Sequence, residues 1–187
     1  MDKDRLERQI EFIREIDKEK SIGRQTYLAD ASRKEDDAEH AWHMAIMTVL
    51  LSEYANEKID VLRTVTMLLI HDLVEIDAGD TYAYDENAKK TQRERELKCA
   101  DRIFSILPED QGKYMRELWE EFEAQETPEA KFARTMDNFQ PVILNDASKG
   151  KSWAEKGVHL SQILKRNART GAVSYTHLRA HETLMNL

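Results

Sequence analysis

Cysteine is nearly absent: Cys99 is the single thiol among 187 residues. That excludes an intramolecular disulfide and any thiolate-rich zinc site, and it fits a reducing, cytoplasmic setting. Proline and glycine are also scarce, at 3 and 6, so few positions force the chain out of regular structure. No apolar run approaches the roughly 20 residues that span a bilayer, and residues 1–8 lack the apolar stretch of a signal peptide. Neither secretion nor membrane insertion is expected. Positive charge is in deficit as well. A formal net charge of -8 argues against a general binder of nucleic-acid polymers, which relies on basic patches. A small charged ligand is compatible if a local basic residue or a metal ion offsets that charge.

What is present is 41% apolar and 34% charged residues, in long stretches with apolar positions three and four apart. The expected fold is all-α, a single compact helical bundle. Leu6, Ile10, Ile13 and Ile16 line one side of an amphipathic first helix over Leu6–Lys18. Ser21 to Asp37 reads as a loop, without strand-like alternation. A second helix runs from Asp37 to Glu53. Ile59 to Val74, the most apolar segment, is the expected central buried helix, with Gly79 and Asp80 in the loop after it. Charged helices follow over Ala88–Leu107, ended by Pro108, and from Glu109 through Trp119 and Phe122. Thr127 and Pro128 open another to Asn145, and Trp153 to Asn167 continues the pattern more weakly.

His71 and Asp72 stand at the carboxyl end of the apolar run, where an unpaired carboxylate is expensive to bury. A divalent metal would satisfy Asp72 and take His71 as a neutral nitrogen donor. The plainer alternative is a helix reaching the surface with His71 as its cap. If the helix persists, Glu75 shares a face with both, and a carboxylate beside a metal site is a candidate proton carrier; Asp80 is a second. Further ligands are offered by His40 and His43, one turn apart, and by Asp137 among Phe132, Met136 and Phe139. For each, a packed histidine or a solvated aspartate is the competing reading, and spacing does not choose between the two histidines.

In order, His40, the pair His71 and Asp72, and distant Asp137 resemble the signature of the HD-domain superfamily of metal-dependent phosphohydrolases. The similarity is closest to the 5'-deoxynucleotidase-like branch and extends from roughly Leu6 to Arg166. It selects His40, which follows Glu39, over His43, which reverts to packing. It implies Glu75 and Asp80 in catalysis and Arg24 as the residue that orients the substrate phosphate, although Gln25 stands where that branch carries tryptophan. Asp80 is a substrate-binding candidate too. Arg33 and Lys34 are weaker phosphate candidates, since a charged loop pair is more often solvated.

No histidine lies between Asp72 and Asp137, so the extra imidazoles of binuclear relatives are missing and one ion is expected: manganese, cobalt, iron, nickel or zinc. The implied activity is release of phosphate from a small phosphomonoester, foremost a (deoxy)ribonucleoside 5'-monophosphate, by a cytoplasmic homodimer. Alternatives are hydrolysis of cyclic nucleotides or nucleoside triphosphates, or a non-catalytic, metal-binding regulatory module. Residues 1–171 are read as the HD unit, without its final helix. Residues 172–187, including His177 and His181, resemble translated sequencing-adapter read-through and are read as a non-native tail.

Overall fold

Side-chain caps fix where three central helices begin. Asp36 accepts from the Glu39 backbone at 2.9 Å while the Glu39 carboxylate accepts from the Asp36 backbone at 3.1 Å, a reciprocal capping box that starts α2 (Asp37–Leu51). Asp60 accepts from the Arg63 backbone at the start of α3 (Val61–Ile70). Thr127 caps α7 (Pro128–Ala147), with Pro128 in the first turn, where its missing N–H has no consequence. Pro141 lies inside α7, one turn beyond Asp137.

These helices belong to a computed structural model that describes residues 3–85, 87 and 89–175. Around them stand α1 (Lys3–Glu15), a hairpin of β1 (Gly23–Tyr27) and β2 (Lys34–Asp36), α4 (Glu75–Ala78), α5 (Lys89–Ser105), α6 (Glu109–Ala124), α8 (Lys151–Lys156), α9 (Leu160–Arg166) and α10 (Thr170–Val173). Helix α3 packs on α2, α6 and α7. Met44, Met67, Leu68, Trp119, Phe122, Phe132 and Met136 fill the space between them and are fully buried. Among the described residues the fold is thus all-α apart from one hairpin. Among the described residues no helix is long and apolar enough to cross a membrane.

Four expectations need correction. Ser21 to Asp37 is not all loop: β1 and β2 pair antiparallel, Gly23 with Asp36 and Tyr27 with Lys34. The apolar stripe of α1 does not face the core. Leu6 and Ile13 are 46% and 62% exposed, and Phe12 is the buried residue. The helix docks instead through polar groups, Arg5 on Asp110 and Arg8 donating to the carbonyls of Ser105 and Ile106 at the end of α5; periodicity identifies a stripe but not what covers it. Helix α3 ends at Ile70, well before Val74, and Leu62 on it is 77% exposed. Finally, Gly157, in a left-handed conformation (φ 63°), separates α8 from α9, and such a backbone favours glycine. Ser174 is buried, and its hydroxyl donates to the Tyr54 carbonyl. The expected tail from residue 176 onward lies outside the described residues.

Helices α5 and α6 meet at Gly112, where a Cβ would lie 2.3 Å from the Phe104 carbonyl oxygen. Alanine improves helix propensity by about 1 kcal/mol, but here it overpacks against backbone, at about 1–3 kcal/mol. Gly112→Ala is therefore expected to lower the urea midpoint, and a midpoint at or above wild type would refute this packing.

Candidate metal centre

His71 is the C-cap of α3. Its Nδ1 lies 2.9 Å from the Leu68 carbonyl, which can only accept, so Nδ1 carries a proton and Nε2 presents the lone pair in the neutral ring. That Nε2 is buried without an aligned hydrogen bond, although Asp72 Oδ2 is 3.0 Å away. His40, in the first turns of α2, is fully buried, with its ring centroid 5.9 Å from that of His71. His40, His71 and Asp72 each offer a donor atom, all within 4.8 Å of one another. Asp137, from the middle of α7, brings Oδ1 to 3.3 Å from His40 Nε2. The helices therefore assemble all four expected ligand residues in one place.

The remaining expected residues lie around them. Glu75, Asp80, Arg24, His71, Asp72 and Asp137 line one cavity of about 990 Å³. Helix α3 does not continue to Glu75; the chain turns at residues 71–74 and restarts as α4 with Glu75 in its first turn. Glu75 still reaches the cavity, and its Oε2 is buried without a partner. Asp80 follows Gly79, whose φ of 74° turns the chain back towards the cavity wall. Arg24 donates from Nη1 to Asp72 at 2.9 Å and to Asp37 at 3.0 Å. His43 stands outside the cluster, near the Gln140 amide. Arg33 pairs with Glu39, and Lys34 donates to Gln25.

Burial and close neighbours shift the ionisable groups in this space. Burial opposes the His71 imidazolium, but Asp72 outweighs it and raises its pKa to about 9. Burial would likewise raise Asp72, yet His71 and Arg24 hold it well below the usual carboxylate range. Asp137 is held low against its burial by His40, Arg134 and Arg166. Burial, reinforced by Asp72, Asp37 and Asp80, pushes Glu75 up to about 12. Burial and Asp72 push Asp37 up to about 8, and burial raises Glu35 to about 7. Burial and Arg24 lower His40 to about 4. Several buried carboxyls and two imidazoles whose donor atoms lie within 4.8 Å of one another and of Asp72 fit a divalent cation, which displaces protons from such ligands.

Sequence reading missed Glu35, Asp37, Arg134 and Arg166. Glu35 and Asp37 sit in the charged run Lys34 to Asp37, which looks solvated, and burial is not legible there. Arg134 precedes Asp137 by three residues, one helical turn, which is the one signal that pointed to it; its Nη1 lies 3.1 Å from Asp137 Oδ2.

Residues 16–177 match the HD domain family. The chain belongs to that family. This HD-domain protein is 30% identical to human 5'-deoxynucleotidase HDDC2 over 72% of its own length and 65% of that relative's, and 28% identical to the mouse protein over 72% and 66%. It thus spans just under two thirds of the length of these relatives. A crystal structure from Magnetospirillum magnetotacticum MS-1, described as a "predicted metal-dependent phosphohydrolase", superposes with a TM-score of 0.93 at 45% identity, covering 97% of this chain and 92% of that one.

Proposed function

We propose that this HD-domain protein is a phosphohydrolase dependent on one divalent metal, releasing phosphate from a nucleoside 5'-monophosphate. The observation that carries the reading is the convergence of His40, His71 and Asp72, with Asp137 beside His40, at the wall of a cavity that His71, Asp72 and Asp137 line together with Arg24, Glu75 and Asp80. Two imidazoles and two carboxylates would hold manganese, cobalt, iron(II), nickel or zinc. The ion supplies Lewis-acid polarisation and offsets charge on the phosphoryl oxygens. Arg24 binds the phosphate, its guanidinium exchanging carboxylate partners for phosphate oxygens. Glu75, at the cavity with Oε2 unpartnered, carries a proton from the attacking water to the leaving oxygen. Asp80 accepts a hydrogen bond from the attacking water or the substrate sugar. The names of the human and mouse relatives support the substrate class.

The test is phosphate release from a panel of ribo- and deoxyribonucleoside 5'-monophosphates with manganese, cobalt, nickel and zinc, beside Glu75→Gln. Release should require metal, and Glu75→Gln should lower kcat by about 10²–10⁴-fold. No metal-dependent release from any substrate by folded protein sinks the proposal.

A cytoplasmic homodimer belongs to the same reading. It is supported by the buried free thiol of Cys99 and by Trp42, Ile46 and Val49 on α2, which are exposed beside exposed Leu62 and Leu69 on α3. Light scattering should give twice the monomer mass, and Ile46→Glu with Val49→Lys should halve it; a monomeric wild type overturns the dimer.

A further inference from the structure

Glu35 lies outside every assignment made so far, yet it is 2% exposed on the middle residue of β2. Its Oε2 accepts from the Gln140 amide of α7 at 2.8 Å. Its Oε1 faces two groups at once: Arg24 Nε at 3.6 Å and His40 Nδ1 at 3.6 Å. All three of these atoms are buried, and none has a hydrogen-bond partner. A carboxylate only accepts, an arginine Nε–H only donates, and a histidine Nδ1 donates when it carries the proton. Oriented that way, one short approach satisfies three otherwise orphaned atoms. It also decides the other face of the imidazole: with the proton on Nδ1, Nε2 presents its lone pair, and Nε2 is the atom that faces Asp137.

We propose that Glu35 is a positioning residue that sets the two halves of the site in register, fixing the tautomer of the metal-binding His40 and the direction of the phosphate-binding Arg24 with one carboxylate oxygen. Carboxylate partners of metal-bound histidines raise ligand basicity and fix ring orientation, and losing one typically weakens metal binding 10–100-fold. Gln140 holds the second oxygen, so the carboxylate cannot rotate away from its two partners. The hairpin then has a clear purpose, because β1 carries Arg24 and β2 carries Glu35 into the same buried space. The inference rests on His40 being a metal ligand, as proposed above.

The test uses the full chain and the metal alone. Glu35→Gln keeps the volume but removes the negative charge that faces His40 Nδ1 and Arg24 Nε and that raises the basicity of the ligand. Competition against a chromogenic chelator should show zinc and manganese bound about 10–100-fold more weakly than by wild type, with the melting midpoint of the metal-free protein little changed. An unchanged metal affinity overturns the proposal. Nuclear magnetic resonance of the zinc-loaded wild type gives a second measurement that needs no variant. The His40 Nδ1–H proton should be present and slow to exchange, and coordination of zinc through Nδ1 would overturn the proposal even if Glu35→Gln failed to fold. Neither measurement involves substrate, so a wrong substrate assignment leaves both untouched. A wild-type protein that takes up no divalent ion overturns the metal-centre reading itself.

Discussion

Asp72→Asn should abolish metal-dependent phosphate release, by roughly a thousandfold or more, while leaving a folded protein. Asp72 Oδ2 is the point where the two halves of the site meet, 3.0 Å from His71 Nε2 and 2.9 Å from Arg24 Nη1. The amide is nearly isosteric but removes the charge that draws a cation between them. Its effect on stability is expected to be small because two consequences oppose each other. Arg24 and His71 lose a close partner, which is destabilising for buried charge. The same substitution relieves Glu75, Asp37 and Asp80, whose carboxyls are all raised in part by Asp72. A thermal midpoint within a few degrees of wild type together with lost turnover is the expected pair of results. Ordinary turnover by Asp72→Asn would refute the site, whatever the substrate.

Metal loading should raise the thermal midpoint by about 8–16 °C. An ion at a thousand times its Kd adds about 4.1 kcal/mol if it binds only the folded state, and each kcal/mol shifts a domain of this length by about 2–4 °C. Burial and neighbouring carboxylates make Glu75 and Asp37 costly to ionise in the metal-free protein, and the ion relieves that cost. A chelator should reverse the shift, and Asp72→Asn should show little of it. The dependence on pH has a definite sign. His71 is raised to about 9 in the metal-free protein, so at neutral pH the ion must displace its proton. Affinity should therefore rise as pH climbs from 7 towards 9. Affinity that is flat or falls over that window, as followed by scanning calorimetry with and without metal, would count against proton displacement at His71.

How much of this was legible beforehand follows from what each signal encodes. Thr127 and Pro128 announce a helix start by local chemistry, and α7 begins there. Order along the chain picked out His40, His71, Asp72 and Asp137, because four spaced ligand residues are specific where each alone is not. The end of α3 was overrun because the apolar run continues through Leu73 and Val74; both stay buried after the helix has stopped, so hydrophobicity records burial there and not helicity. The hairpin was invisible for a different reason. Its strands have five and three residues, rich in charge, and their inward residues are Arg24 and Glu35 instead of apolar ones. Burial of opposite charges against each other leaves no alternation to read.

The contrast between hairpin and helices has an evolutionary consequence. The proposed metal ligands project from α2, from the end of α3 and from α7, elements locked together by the core, whereas Arg24 rides on a two-stranded ribbon that has little stability of its own. Because β2 also sets Glu35 against His40, a length change between Tyr27 and Lys34 that re-aims Arg24 should also shift the carboxylate beside a proposed metal ligand. Alterations in this turn are therefore expected to change substrate preference and metal affinity together.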